Sequence, residues 1–265
     1  MTARLTINTV GNISGENAKK NIAYCNEQGF DYVKWGIGLY PRCAVVGGGS
    51  SAEKHFDELR EWQGDVFAVN DMAGELSDNG ISCYMYSVDG TPVEFKSGEN
   101  VRGAVFSTRC NKNQFSQFKN VRVFNMKEDV EKDGIEGGPT GICRAPHLFL
   151  KMGYSGIDFF GCEGSFFKKS HFGSDHKDAY GDMLIVGVNG IDYITNAAFM
   201  LQCEYMAKVF TDHPVFMKNH SGGLLQAMID NPDTWSVVAV SNDIKKQGVK
   251  GYETPYRFEN LVWTN

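Results

Sequence analysis

None of the seven cysteines belongs to a Cys-x-x-Cys pair, and they are scattered from Cys25 to Cys203. This lack excludes a structural zinc site of standard spacing and argues against a disulfide frame; it suits reduced, buried thiols in a reducing compartment. No apolar run approaches the ~18 to 20 residues that a bilayer-spanning helix needs. The opening MTARLTINTVGNISGENAKK has no basic start leading into an apolar stretch, so a cytoplasmic protein with no membrane contact is expected. Basic residues do not cluster, and 26 of them against 32 acidic ones leave a net charge of -6. Duplex nucleic acid is thereby excluded as a partner, because phosphate neutralisation needs a positive face. No Gly-x-x-x-x-Gly-Lys-Ser/Thr occurs, which removes the P-loop kinases. Repeats, low-complexity tracts and proline-rich linkers are also missing, so nothing marks a domain boundary.

What remains is an ordinary globular composition, 42% hydrophobic and 22% charged over 265 residues, enough for one large domain. Short strand-like runs alternate with helical stretches. Strands are expected at 43–47, 66–70, 83–89, 103–108, 121–126 and 156–162, and helices at 51–62, 141–153 and 196–210. That alternation predicts an α/β fold, Rossmann-like, with a mostly parallel sheet and helices on both faces. Residues 1–42 read as an N-terminal extension packed on the core. Residues 43–265 read as the α/β domain, with a loop or lid at about 164–190 over the carboxyl edge of the sheet.

The run AVVGGGSSAEKHF at 44–56 breaks from a strand into glycines and serines and then into a helix. Gly47-x-Gly49-x-x-Ala52 fits the dinucleotide pattern, and Asp71 stands near the acidic position expected after the next strand. Glycines let a backbone approach a phosphate, and the following helix start offers free N–H donors. The same residues also serve a tight strand-to-helix connection. Further polar residues fall where strands end: Asn70, Asp89, Ser107 with Thr108, and Cys162-Glu163. Each alone suits a turn or cap; their common sheet edge, where open α/β sheets bind ligands, points to a site. In the second glycine-rich turn, GIEGGPTGIC at 134–143, Thr140 and Gly141 open a helix whose amides suit an anion or a carbonyl. His171 and His176 lie in a polar segment with Asp175 and Asp178, where an imidazole can act as acid or base. His147 sits in an apolar helix and reads as a core or groove residue.

Taken in order, AVVGGGSS, VFAVN, YSVD, GGPTGICRAPHLFLKMGYSGIDFFGCEGSF, HKDAY and SGGLLQAMI, spanning about residues 43–229, resemble the superfamily of MptE-like 6-hydroxymethylpterin diphosphokinases and Maf glycosyltransferases. More distantly they are similar to bacterial CMP-sialic acid sialyltransferases. The opening LTINTVGNISGENAKKNI looks like the leader of short, phage-associated members. Two departures stand out: the proline usual in the first turn is missing from Gly47-Gly48-Gly49-Ser50-Ser51, and the usual glycine-x-aspartate is Gly161-Cys162-Glu163. The resemblance implies a nucleotide pocket lined by residues 47–51, Asn70, Asp89, Ser107, Thr140, Gly141, Gly161 and Glu163. In the pterin enzymes of that superfamily the pocket takes ATP with a magnesium ion; for a transferase here, Asp89 and Glu163 are the candidates to hold such an ion, and His176, or failing it His171, is the candidate base that takes a proton from a hydroxyl acceptor. The expected function is a nucleotide-dependent transferase, moving pyrophosphate from ATP to a hydroxymethyl group or a sugar from a CMP-sugar. A non-catalytic nucleotide-binding protein and an NAD-dependent oxidoreductase are the alternatives. The oligomeric state is left open, a homo-oligomer included.

Overall fold

The apolar run Cys43–Val46 is buried at every position, Cys43 and Val45 in one hydrophobic cluster and Ala44 and Val46 in another. A strand covered on both faces belongs inside a parallel sheet flanked by helices. The computed structural model, which describes residues 14–36, 41–166 and 183–240, has that architecture. Along the chain run α1 (Gly15–Gln28), β1 (Asp31–Tyr32), β2 (Cys43–Val46), a 3-10 turn (Ser50–His55) continuing into α2 (Phe56–Arg60), β3 (Val66–Val69), α3 (Met72–Asp78), β4 (Cys83–Ser87) and β5 (Val101–Ser107). Then come α4 (Lys112–Phe115), β6 (Val121–Phe124), a second 3-10 turn (Lys127–Asp129), α5 (Gly141–Lys151), β7 (Ile157–Phe160), β8 (Met183–Val188) and β9 (Ile191–Asn196). The described chain closes with α6 (Ala197–Asp212), β10 (Met217–Asn219), α7 (Gly223–Asp230) and β11 (Trp235–Val240).

Eight strands form one sheet in the order β1-β6-β5-β4-β3-β2-β7-β10, and every pairing is parallel. From β2 the chain steps outward to β6, burying Phe56, Leu59, Met72, Leu76 and Phe115 of α2, α3 and α4 on one face. It then returns through α5, whose Leu148 and Phe149 are buried on the opposite face with residues of α6 and α7, and enters β7 on the other side of β2. The winding direction therefore reverses between β2 and β7, and at such a switch point the connecting loops diverge and leave a crevice. Beneath it, the buried Asp158 of β7 is paired with Arg42 at 2.5 Å and with His220 at 2.9 Å. Burial pushes its carboxyl up, but the hydrogen bonds from His220 and Arg42 outweigh burial and hold it below the usual aspartate range.

In the N-terminal segment, β1 pairs with β6 and lengthens the sheet at its edge. Two expectations need correction. The helix expected at 51–62 is a 3-10 turn followed by five residues of α2. Within 164–190, residues 183–188 are β8, the centre of a three-stranded antiparallel sheet β11-β8-β9. The reason is an apolar run in which Leu184, Val186 and Val188 join the main hydrophobic cluster and Ile185 is buried as well, and a β8–β9 turn in which Asn189 (φ 49°) and Gly190 (φ 77°) both take positive φ, as a tight two-residue hairpin demands. No helix among the described residues is long and apolar enough to cross a membrane.

Candidate functional site

At the switch point the ends of β2 and β7 are stitched together by backbone. The Gly47 N–H donates to Phe160 O at 2.8 Å and the Gly49 N–H to Gly161 O at 2.8 Å. A Cβ on Gly47 would meet the Gly161 carbonyl at 2.5 Å, and Gly161 itself sits at φ 62°. These two glycines are therefore required by strand packing, whatever binds above them. Gly49 differs, because a Cβ there would collide with the carboxylate of Glu163.

Glu163 is buried, 6% exposed, and its carboxylate lies on the glycine turn. Oε1 accepts from the Ser51 N–H at 2.9 Å and from Ser50 Oγ at 3.3 Å, and Oε2 accepts from Ser51 Oγ at 2.7 Å. The donors expected to hold a phosphate thus already hold an anion, supplied by the chain. Charge-assisted bonds of this kind contribute about 1.5–3 kcal/mol each, which is how an isolated carboxylate is kept out of water here. The Glu163 backbone is fixed as well, its carbonyl accepting from the Leu225 N–H at 3.0 Å, at the start of α7.

Asn70, at the end of β3, takes φ 53°. Its N–H donates to Tyr86 O at 3.1 Å, and the Tyr86 hydroxyl donates to Gly141 O at 2.9 Å, so β3, β4 and the start of α5 are tied in series. The Asn70 Oδ1 is buried without a hydrogen-bond partner. Such an orphan acceptor is rare in a folded interior and points to a missing donor. Ser107 is fully buried, and its hydroxyl accepts from the Arg109 N–H at 3.1 Å. Asp89 Oδ1 accepts from the Thr91 N–H at 2.9 Å and its hydroxyl at 2.7 Å. Both therefore act as local turn formers. Thr140 precedes α5 but does not cap it; its hydroxyl donates to Gln202 Oε1 of α6 at 2.7 Å. Gly48 and Ser50 are half-buried on the turn, and Gly141 is buried against Tyr86 and Val88.

For the magnesium ion implied by the resemblance, β2 and β3 lie between the strands that end at Asp89 and at Glu163. One oxygen of Asp89 and both of Glu163 are committed to local donors. As arranged, the two carboxylates do not fit as ligands of one ion. His171 and His176 lie outside the described residues. The thiols near the turn are not nucleophiles. Burial pushes Cys162 and Cys203 up and takes Cys143 to about 11, leaving them protonated at neutral pH. The resemblance puts Glu163 in one pocket with the turn, but nothing in the sequence shows that its carboxylate takes the turn's own donors. A polar cluster of His55, Glu58 and His220 is not foreseen in the sequence. It carries only the His55-x-x-Glu58 spacing, since His220 arrives from far along the chain. Comparison with protein-family models, curated proteins and solved structures finds no match.

Proposed function

We propose that the switch-point crevice binds the phosphate of a nucleotide and that the protein is a nucleotide-dependent transferase. The observation that supports this most is the grip of Ser51 and Ser50 on the Glu163 carboxylate, an anion site built at the sheet edge where α/β proteins bind ligands. In this reading an entering phosphate takes the Ser51 donors and Glu163 swings away. The nucleoside extends past Asn70, whose unpartnered Oδ1 accepts from a base or sugar donor, toward the start of α5. Magnesium arrives on the phosphates rather than on an Asp89–Glu163 pair. A hydroxyl acceptor gives its proton to His176, or to His171; replacing that base lowers turnover about 10²- to 10⁴-fold and leaves nucleotide affinity unchanged.

A second reading rests on the same carboxylate: a chain that fills its own anion site suits a binding protein that turns nothing over. Thermal unfolding with CMP, CTP, ATP and NAD separates the cases. A ligand at about 100 times its Kd adds about 2.7 kcal/mol. Stabilisation by CMP, CTP or ATP, reduced in Ser51→Ala, supports the crevice, and turnover of an ATP- or CMP-sugar-dependent reaction then supports the transferase. Stabilisation by NAD alone replaces it with an oxidoreductase, and no stabilisation by any of the four rejects the nucleotide reading.

A further inference from the structure

We infer that His55, Glu58 and His220 form a binding site for one divalent transition-metal ion of the zinc class, separate from the nucleotide crevice. One donor atom from each residue lies within 4.8 Å of the other two. His55 ends the 3-10 turn, Glu58 lies one turn on in α2, and His220 follows β10, so the site joins elements far apart in the chain.

The hydrogen bonds around the rings make the case. His55 Nε2 is 3.1 Å from the His220 carbonyl oxygen, which can only accept, so Nε2 carries the proton. In a neutral ring Nδ1 then presents a bare lone pair, yet it faces Glu58 Oε2 at 3.0 Å, a second acceptor. Two acceptors at that distance need a proton or a metal ion between them. His220 repeats the pattern. Its Nε2 is 2.9 Å from Asp158 Oδ1, and no hydrogen bond among the described residues engages its Nδ1. Metal-binding histidines are held in this way, one nitrogen donating to a carboxylate or a backbone carbonyl so that the other is aimed and deprotonated. Asp158 is itself held by Arg42 at 2.5 Å, which leaves Glu58 as the unbalanced charge of the cluster.

Packing fixes the rings further. His220 stacks on Phe160 at 4.3 Å between centroids, and His55 meets the edge of Phe160 at 5.1 Å. Tetrahedral zinc with ligands at about 2.0–2.1 Å places neighbouring ligand atoms about 3.3 Å apart. The 3.0 Å between His55 Nδ1 and Glu58 Oε2 already matches that edge. A ring nitrogen of His220 lies within 4.8 Å of both other donors and supplies the third corner. Two imidazoles and a carboxylate suit Zn²⁺, Co²⁺ and Ni²⁺ over magnesium or calcium, and three protein donors leave a position for water. Side-chain exposures of 24%, 44% and 27% give an ion a way in.

The test uses the full chain without an affinity tag, stripped with chelator and titrated with Co²⁺ by visible absorption and with Zn²⁺ by calorimetry. One ion per chain is expected, with weak ligand-field bands of nitrogen and oxygen coordination. Glu58→Gln, a replacement of a half-exposed side chain, is expected to weaken binding at least tenfold, and His220→Ala to abolish it. The double replacement His171→Ala with His176→Ala is expected to leave it unchanged. Absence of binding by the folded wild type overturns the inference. So do binding altered less than tenfold by Glu58→Gln and a thiolate charge-transfer band, which would move the ion to the cysteines. Should His220→Ala fail to fold, Glu58→Gln alone decides.

Discussion

Replacing Glu163 with glutamine tests whether the glycine turn is an anion site that the chain keeps filled. The amide has nearly the same shape, so Oε1 still accepts from the Ser51 N–H, and the Ser51 hydroxyl can turn to accept from the new NH₂ group. What is lost is charge assistance in the two short bonds of 2.9 and 2.7 Å, the difference between about 1.5–3 and about 0.5–1.5 kcal/mol for each. Relief of a buried charge offsets part of this. A net destabilisation of about 1–2 kcal/mol follows, which at roughly 2–4 °C per kcal/mol for a domain of this size lowers Tm by about 2–8 °C. Nucleotide affinity moves the other way. A phosphate no longer has to displace a carboxylate worth about 1–2 kcal/mol, so CMP or ATP binds about five- to thirtyfold more tightly to Glu163→Gln than to wild type. Urea unfolding and titration calorimetry on the two proteins measure both quantities. Weaker nucleotide binding in the variant would refute the displacement and make Glu163 a direct holder of metal or nucleotide. Unchanged stability would show that the turn does not hold the carboxylate.

Asn70→Gly keeps the positive φ of 53° without strain and removes an acceptor that bonds nothing in the free protein. Stability measured by urea should change by no more than about 0.5 kcal/mol, while nucleotide affinity by calorimetry falls roughly three- to tenfold, the worth of one hydrogen bond. Gly161→Ala adds a Cβ at φ 62° that meets the Gly47 carbonyl and Ala52; left-handed strain and overpacking together cost about 2–5 kcal/mol, visible as a large drop in the urea midpoint. All seven cysteines are buried, and with Cys143 raised to about 11 the native protein at pH 8 should be alkylated at least about 10²-fold more slowly than the unfolded chain. Rapid labelling of Cys143 or Cys162 in the folded state would contradict that burial.

The parallel sheet was legible because its cause is local. Runs such as Cys43–Val46 and Phe67–Val69 are apolar at successive positions, and a strand that must be covered on both faces has few architectures open to it. The glycine turn was legible too, since a strand that breaks into three glycines needs backbone freedom or close approach. The hairpin of β8 and β9 carries its own local signal in Asn189-Gly190, at the end of the segment 164–190. The resemblance put Glu163 in one pocket with the turn, but that its carboxylate takes the turn's own donors was not legible. Glu163 reaches Ser51 across 112 positions only because the winding reverses between β2 and β7. In the same way Asp158, His220 and His55 come together because β10 is laid beside β7 and the 3-10 turn crosses above them. Local sequence determined which residues form strands, helices and turns, because backbone propensity and periodic burial act within a few residues. The tertiary structure alone decided which charges meet, because strand order is a property of the whole sheet and leaves no mark on any short stretch of chain.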